Sequence, residues 1–291
     1  MRSFVILNPA AAGGKTLKVR KQIETFLKKN KIKYELYISK SANDILSVVR
    51  QNITRDFSNF VGIGGDGTVH YIANALAGTD KNLGYIPVGS GNDIAKNLGV
   101  PLDIEKACKV IKKAKTKRID LGLINDQYYY LCIAGAGFDS DVTRLANETH
   151  FPIKGPLKYT YAVYKTLITF RPKTFHIQYD DNQTEIELMM MVASNMQAYG
   201  GGMKITPHAD PTDGKLDICI IKKMSKIHFV KAFPRVFEGK HTQDPNVEIF
   251  KADTLRIECD KRADVFADGE YICSLPASFK VLPKALNFIV P

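Results

Sequence analysis

The chain has 291 residues, of which 45% are hydrophobic and 24% charged, a composition typical of a folded protein and not of a disordered one. Its 41 Lys and Arg residues outnumber 30 Asp and Glu, and the net charge of +11 predicts an anionic partner, which could be nucleic acid, a nucleotide or an anionic membrane surface. Five cysteines without a CxxC pair, and the absence of any apolar run of the about 20 residues that a membrane span needs, favour a cytoplasmic protein that meets membranes only at their surface.

The first part of the chain alternates between strand-like and helix-like apolar patterns. This alternation is typical of a parallel sheet with helices on both faces. The predicted strands are 3–7, 34–38, 59–63 and 83–88; the predicted helices are 17–29, 43–51, 69–77 and 102–114, with a short one that ends at Leu98.

Three loops rich in small residues follow three of these strands, at 8–15, 64–68 and 89–93. The carboxyl ends of parallel strands meet at one edge of a sheet, and glycine amides beside helix N-termini bind phosphate there. The first loop lacks the spacing of a Walker A motif, so a P-loop fold is not indicated. Asp66 is unfavourable beside phosphate, so it either orders its turn or faces a metal or ribose. The alternative is that all three are ordinary glycine turns.

A basic run, Lys112, Lys113, Lys115, Lys117 and Arg118, follows the last of these helices. Such runs are usually solvated, and they also complement the dipole at a helix C-terminus. Docking on an anionic membrane is the alternative interpretation.

After Asp120 strand-like patterns dominate, which predicts a mainly antiparallel β domain with helical insertions and a boundary near Asn125. The predicted strands are 128–133, 174–179, 187–193, 216–221, 247–250, 255–259, 263–267 and 279–282; the predicted helices are 140–146, 157–170 and 226–237.

Four polar clusters interrupt these strands, at 135–139, 200–203, 210–215 and 268–270. Each could be an architectural turn, because turns favour Asp and Gly. Asp213 with nearby carbonyl groups is a candidate site for a hard cation, and Asp268 with Glu270 is a candidate general base. The histidines lack the spacing of a zinc site, and no GxSxG nucleophile is present.

Taken together, the motifs resemble those of the bacterial diacylglycerol kinase family, which is related to the sphingosine kinases. The order and spacing of Asn8-Pro9 with its glycines, GGDGT at 64–68, PVGSGND at 87–93 and the four later clusters carry this resemblance over essentially the whole chain. GGDGT alone would not be specific, because NAD kinases and phosphofructokinases have a similar loop.

The resemblance implies a two-domain fold. Residues 1–125 are expected to form an α/β nucleotide-binding domain with a parallel sheet, similar to those of phosphofructokinases and NAD kinases. Residues 126–283 are expected to form a mainly antiparallel, β-sandwich-like domain for the lipid substrate, and a last strand at about 284–291 is expected to return to the first domain.

The resemblance also implies the site residues. Glu270 with Asp268 would take a proton from the lipid hydroxyl, and Asp213 with the carbonyls of Asp210 and Lys215 would bind Mg²⁺. The implied ATP contacts are Asn8, Pro9, Ala10, Ala11, Ala12, Ser39, Gly64, Gly65, Asp66, Gly67, Thr68, Val69, His70, Ser90 and Asn92. Ser90 replaces the usual threonine, and His70-Tyr71 replaces the usual Asn-Glu.

The function implied is an ATP- and Mg²⁺-dependent lipid kinase that converts diacylglycerol to phosphatidic acid at an anionic membrane surface, as a peripheral protein and a homodimer. Two alternatives remain: an NAD-kinase-like phosphotransferase with a soluble substrate, and a nucleotide- or lipid-binding regulatory module without catalysis. Nucleic-acid binding is not expected, since no nucleic-acid-binding motif is present.

Overall fold

The structure is a computed structural model that describes residues 2–148 and 156–291. The chain divides into two compact units, Met1–Leu121 with Lys284–Pro291, and Gly122–Pro283. It passes from one unit to the other within the strands Thr116–Ile124 and Ala277–Ile289.

The first unit alternates strands and helices. Its elements are β1 (Arg2–Leu7), α1 (Lys15–Lys29), β2 (Lys33–Ile38), α2 (Ala42–Asn52), β3 (Asn59–Gly64), α3 (Asp66–Leu76), β4 (Asn82–Pro87), α4 (Asp93–Asn97), α5 (Ile104–Lys113) and the first part of β5 (Thr116–Ile124).

The strands of the first unit form a parallel sheet in the order β2-β1-β3-β4. The last residues of the final strand, β15 (Ala277–Ile289), continue the sheet in parallel beside β4. Apolar side chains of the sheet, such as Val5 and Val61, pack with Leu27 of α1 and Ile111 of α5 in one buried cluster. The predicted α/β fold with a parallel sheet is therefore confirmed.

The second unit consists mainly of strands. Its elements are the end of β5, β6 (Tyr128–Tyr130), β7 (Ile133–Gly137), α6 (Phe138–Glu148), α7 (Pro156–Thr169), β8 (Lys173–Tyr179), β9 (Asn182–Ser194), β10 (Leu216–Lys222), α8 (Lys226–Ala232), β11 (Val247–Ala252), β12 (Thr254–Cys259), β13 (Asp264–Ala267), β14 (Glu270–Ser274) and the beginning of β15.

The strands of the second unit follow the order β14-β13-β7-β9-β8-β12-β15, and each strand in this order is antiparallel to its neighbours. The long strand β9 pairs with β8 through its first half and with both β7 and β10 through its second half. Phe175, Leu188, Ile218 and Val265 lie in one buried cluster that these strands share. The predicted antiparallel β domain is confirmed.

Two predicted elements of this unit are wrong in detail. The strand predicted at 128–133 is interrupted, because β6 ends at Tyr130 and β7 begins at Ile133. The helix predicted at 226–237 is α-helical only as far as Ala232 and continues as a 3₁₀ turn at Phe233–Glu238. Pro234 lies at the start of that turn, where its missing N–H removes a helical hydrogen bond.

The longest described helix, α1, has 15 residues. Within residues 2–148 and 156–291, no helix combines the length and the apolar character that crossing a bilayer would require.

Asp120 of β5 helps to hold the C-terminal segment in the first unit. Its buried carboxylate accepts a hydrogen bond from the Lys284 amide at 2.7 Å. Replacing it by alanine leaves that amide without the carboxylate, so we expect D120A to lower the free energy of unfolding by about 2 kcal/mol. Urea unfolding followed by far-UV circular dichroism measures this, since the chain has no Trp. D80A removes the same charge at an exposed position, and an equal loss in both variants would contradict the prediction.

Candidate active site

The first of the three loops is fastened to the second through Asn8. The Asn8 amide donates to the Ile63 carbonyl at 3.0 Å, and its side-chain Nδ2 donates to Thr68 Oγ1 at 3.0 Å. Its Oδ1 accepts from the Ala10 amide at 3.1 Å, which shapes the turn through Pro9. The structure therefore brings together two of the predicted nucleotide loops.

The second and third loops touch through their backbones. The Gly64 carbonyl accepts from the amides of Val88 and Gly89, at 2.8 and 3.0 Å. A Cβ atom on Gly89 would lie 2.5 Å from the Cα atom of Gly65, and one on Gly64 would lie 2.3 Å from Thr68 Oγ1. A larger residue is disfavoured at both positions, because the backbone of Gly65 fills the space beside Gly89 and the side chain of Thr68 fills the space beside Gly64.

Asp66 orders this arrangement, which is one of the roles that the sequence left open. Its two carboxylate oxygens accept from the amides of Asp93 and Ile94, each at 3.0 Å, at the beginning of α4. An aspartate in this position satisfies amides that the short helix leaves unpaired. The negative charge is thus directed to a helix N-terminus that favours it.

The third loop is held by Asn92, whose φ of 52° lies in the left-handed region. Its Oδ1 accepts from the Tyr85 hydroxyl at 3.0 Å and its Nδ2 donates to the Gly89 carbonyl at 2.8 Å. Ser90, between them, is exposed. The Asn92 side chain therefore maintains the loop, and Ser90 is accessible beside it.

Three other predicted nucleotide contacts are buried. Val69 and His70 of α3 are 0% and 4% exposed, and the His70 ring packs edge-on against Tyr71. Ser39 is 3% exposed and its hydroxyl donates to the Leu7 carbonyl at 3.3 Å. The contact of these buried side chains with a nucleotide stays a prediction.

Two helices begin at the loops without a capping side chain. Gly14 and Gly65 precede α1 and α3, whereas Ser41 and Asp103 cap α2 and α5 by accepting backbone N–H bonds. At the beginning of α3 the amide of Thr68 donates to the Gly65 carbonyl at 3.0 Å, and each of the two helices follows a glycine, which offers no side chain in front of the helix. This edge of the sheet is therefore suited to an anion such as phosphate.

The second unit contains the carboxylates predicted for proton transfer. Asp268 accepts from three consecutive amides, those of Leu131, Cys132 and Ile133, at 2.8, 2.8 and 3.3 Å. Its φ of 49° and the φ of 90° at Gly269 form the sharp turn between β13 and β14. Asp268 is thus a positioning residue in this structure.

Glu270 is the first residue of β14, directly after that turn, and is partly exposed. On the other side of the turn, Asn147 of α6 donates from Nδ2 to the Gly269 carbonyl at 2.9 Å. The turn is therefore fixed by Asp268 and by Asn147, a residue that the sequence analysis did not identify. Glu270 is the carboxylate of this pair whose position suits a reaction with a ligand.

The residues predicted to bind Mg²⁺ form a compact turn. The Asp210 carboxylate accepts from the amide and the hydroxyl of Thr212, at 3.0 and 2.7 Å. Its carbonyl accepts from the Asp213 amide at 3.3 Å, and the Asp213 carboxylate accepts from the Lys215 amide at 3.0 Å. Both aspartates are therefore engaged by neighbours of the same turn.

A lysine supplies the positive charge at this turn. Lys251 Nζ lies 2.7 Å from the Asp213 carboxylate and 2.9 Å from that of Asp217, which is almost completely buried. Burial disfavours the charged lysine, but its hydrogen bonds to Asp213 and Asp217 raise the pKa of Lys251 overall. Among the described residues, no three carboxylate, histidine or cysteine side chains converge on a metal position. A resident Mg²⁺ does not fit here unless Lys251 moves.

An apolar cavity of about 60 Å³ lies in the second unit, among α6, α7, α8 and the turn after α8. Three methionines, Met190, Met203 and Met224, line it together with Phe229 and other apolar side chains. Methionine side chains adapt readily to the shape of a ligand, so this cavity could widen around a flexible apolar chain.

One end of this cavity is polar. Asp139, at the beginning of α6, accepts a short hydrogen bond from the Tyr199 hydroxyl, and both residues line the cavity. Burial raises the pKa of Asp139 to about 6, although the hydrogen bond from Tyr199 opposes the shift. The sequence places Asp139 only in the polar cluster at 135–139, because residues that line a cavity come from distant parts of the chain.

Comparison with known proteins supports the α/β unit and the mainly antiparallel unit separately. Residues 2–124 match the diacylglycerol kinase catalytic domain, and residues 132–290 match the YegS C-terminal NAD kinase beta sandwich-like domain. A diacylglycerol kinase of Mycobacterium tuberculosis (strain CDC 1551 / Oshkosh) is 32% identical, over 98% of this chain and 94% of the relative. The chain belongs to the diacylglycerol kinase family.

Further relatives extend over the full chain. A diacylglycerol kinase of Bacillus subtilis (strain 168) is 28% identical, over 100% of this chain and 96% of the relative. A solved structure from Bacillus anthracis str. Sterne, described as a candidate diacylglycerol kinase, is 25% identical, with a TM-score of 0.82 over 100% of this chain and 97% of the other. As a member of the diacylglycerol kinase family the protein is a kinase, and this family implies ATP as the phosphate donor.

Lys251 can be tested as the resident cation. We expect the melting temperature of the unmodified protein to be unchanged by EDTA or Mg²⁺ without nucleotide. We expect K251M to lower the free energy of unfolding by about 2 kcal/mol, because the negative charges of Asp213 and Asp217 lose the ammonium group of Lys251. The melting temperature of K251M should then rise when Mg²⁺ is added. K215M is the control, since it keeps the backbone carbonyl of residue 215, which was predicted to bind Mg²⁺, and removes the exposed ion pair between Lys215 and Asp253. A protein stabilised by Mg²⁺ with Lys251 in place would contradict this assignment.

The buried Asp139 predicts a pH-dependent stability. An exposed aspartate has a pKa of about 3.9, so the folded protein binds this proton more tightly and loses stability as the pH rises from about 4 to about 6. D139N keeps an acceptor for Tyr199 and lacks this titration. We expect its stability relative to the unmodified protein to increase over that pH range by up to about 3 kcal/mol and then to level off. Urea unfolding measures this, with D181N as the exposed control; a difference independent of pH would contradict it.

Proposed function

We propose that the protein transfers the γ-phosphoryl group of ATP to the hydroxyl of a membrane lipid, and that this lipid is diacylglycerol. The observation that carries the proposal is the position of two features on α6. Asn147 of that helix holds the turn that presents Glu270, and Asp139 at its other end lines the apolar cavity. Eight residues of helix separate them by about 12 Å.

This spacing suits an amphipathic acceptor. A hydroxyl group at Glu270 and an acyl chain in the cavity would belong to one molecule that has a polar and an apolar part. A soluble acceptor such as NAD would derive little benefit from a cavity lined by methionine and phenylalanine. The cavity therefore favours a lipid over the soluble substrate of an NAD-kinase-like enzyme.

The loops of the first unit supply what ATP requires. The glycine-rich loops at 64–68 and 89–93, together with the helices that begin after Gly14 and Gly65, would bind its phosphates. Phosphoryl transfer depends mainly on such positioning and neutralisation of charge. The N-termini of α1 and α3, which follow glycines and favour negative charge, support this assignment.

In the proposed reaction Glu270 acts as the general base. Its carboxylate accepts the proton of the lipid hydroxyl as the hydroxyl oxygen forms a bond to the γ-phosphorus, and the bond from that phosphorus to the leaving oxygen of ADP breaks. Asp268 does not take the proton, because three amides already donate to it. Its role is to hold the turn from which Glu270 projects.

Transfer of ³²P from γ-labelled ATP, supplied with Mg²⁺, to a panel of acceptors tests this function. The acceptors are diacylglycerol, monoacylglycerol, ceramide, sphingosine and undecaprenol in mixed micelles, with NAD as the soluble control. We expect label in diacylglycerol, and we expect E270Q to lower kcat by about a hundredfold or more while the affinity for ATP is unchanged.

The controls separate chemistry from folding. E248Q removes the same charge at an exposed position of β11, and we expect it to have normal turnover. Label only in NAD would favour the NAD-kinase-like alternative, and ATP binding without transfer to any acceptor would favour the regulatory module. Normal turnover by E270Q would refute the assigned base.

A further inference from the structure

Six of the eleven large apolar side chains that are exposed in the described residues lie on two neighbouring segments of the second unit. We call this surface the α7–α8 face; it consists of Leu157, Tyr164 and Ile168 of α7, Ile227 and Val230 of α8, and Phe237 of the following turn. Ile168 and Ile227 are 73% and 72% exposed. Such a concentration of exposed apolar side chains is typical of an interaction surface.

The two segments are in direct contact. Lys226 Nζ of α8 donates a short hydrogen bond to the carbonyl of Ile168. The ring of Tyr164 packs against Phe233 with centroids 6.1 Å apart, and Phe233 packs against Phe237 at 5.9 Å. The exposed side chains of α7 and of the α8 segment therefore belong to one surface.

Helix α7 has apolar side chains on two faces. Val163 and Leu167 are buried, and Val163 lines the cavity. Leu157, Tyr164 and Ile168 follow one another at spacings of seven and four residues, which places them on one stripe of the helix. Burial in the core of this unit accounts for the first face but not for this exposed stripe.

The face is also strongly basic. Residues 156–171 and 226–243 contain seven Lys and Arg residues and one acidic residue, Glu238, whereas the ratio for the whole chain is 41 to 30. Glu238 is neutralised by Lys240 at 2.5 Å. Lys165 and Lys231 are exposed beside the apolar side chains. An anionic surface that also accepts apolar side chains is a bilayer of acidic phospholipids.

The face is continuous with the cavity. A row of aromatic rings runs from Phe138 to Phe229 to Phe233, with centroids 4.9 and 6.0 Å apart, and all three line the cavity. Tyr164 and Phe237, which contact Phe233, are 40% and 39% exposed. An apolar path thus leads from the cavity to the α7–α8 face.

From these observations we infer that the α7–α8 face docks on an anionic bilayer, with Ile168 and Ile227 inserted among the lipids. The lipid acceptor then reaches the cavity along the aromatic row without crossing water. This inference rests on the proposed function. A second copy of the chain is a poorer occupant, because two such faces would bring like charges together.

The basic run of the first unit differs from this face. Lys112, Lys113, Lys115, Lys117 and Arg118 are all exposed, but Leu102 is the only large exposed apolar side chain described at residues 100–120. This run offers charge without a comparable apolar surface, so it provides matched control variants.

Sedimentation with vesicles tests the docking surface separately from catalysis. The vesicles consist of phosphatidylcholine alone or mixed with phosphatidylglycerol. We expect the protein to bind only the mixed vesicles, and less tightly as the salt concentration rises. K165Q/K231Q should lower the partition coefficient about fivefold for each lysine, and I168S/I227S should lower it about tenfold or more. K112Q/K113Q and L102S, the matched controls, should bind normally.

A second measurement distinguishes docking from chemistry. Phosphorylation of diacylglycerol in mixed vesicles should fall in parallel with binding in K165Q/K231Q and I168S/I227S. Phosphorylation of short-chain diacylglycerol in detergent micelles should stay near that of the unmodified protein, which also shows that the variants are folded.

Several results would overturn the inference. These are normal vesicle binding by both face variants, loss of binding in K112Q/K113Q instead, no vesicle binding by the unmodified protein, and conversion of a dimer to a monomer by I168S/I227S with unchanged vesicle binding. Vesicle binding through the α7–α8 face without phosphorylation of any lipid would refute the proposed function and leave the docking surface standing.

Discussion

The carboxylate of Asp268 is the point on which the arrangement of the second unit depends. It accepts three hydrogen bonds from consecutive amides, those of Leu131, Cys132 and Ile133, just before and at the beginning of β7. Hydrogen bonds to an ionised acceptor are about twice as strong as neutral ones. The contact fixes the turn at Gly269, and through it the position of Glu270 and the end of α6 at Asn147.

The first unit uses the same device. Asp66, in the middle of a glycine-rich loop, accepts from the amides of Asp93 and Ile94 and so joins two loops. In both units an aspartate beside glycine, which a sequence motif marks as a site residue, is occupied in holding the backbone. Beside these aspartates lie the groups proposed to meet the ligand: the N-termini of α1 and α3 in one unit, and Glu270 in the other. Motif residues of this kind determine where the reacting groups lie.

The sequence predicts the architecture well because its apolar periodicity reports directly on local structure. It fails where a distant residue overrides the local pattern. The apolar run at 128–133 looks like one strand, but Asp268 captures the amides of Leu131 to Ile133 and interrupts it. β5 was not predicted because its first three residues are exposed and only the rest is buried. Lys251 and the aromatic row could not be predicted either, because the residues that they contact lie far away along the chain.

The two ends of α6 have different surroundings, and this difference fits the chemistry proposed for them. At one end Asp268 and Asn147 hold the turn of Glu270 with four hydrogen bonds, as a base must be held within hydrogen-bond reach of its proton. At the other end the cavity is narrow and partly lined by methionines, which repack at little cost. A rigid carboxylate discriminates strongly among hydroxyl positions, whereas an adaptable apolar wall discriminates weakly among chain lengths. Selectivity would therefore come from the headgroup, and the acyl chain would contribute mainly binding energy.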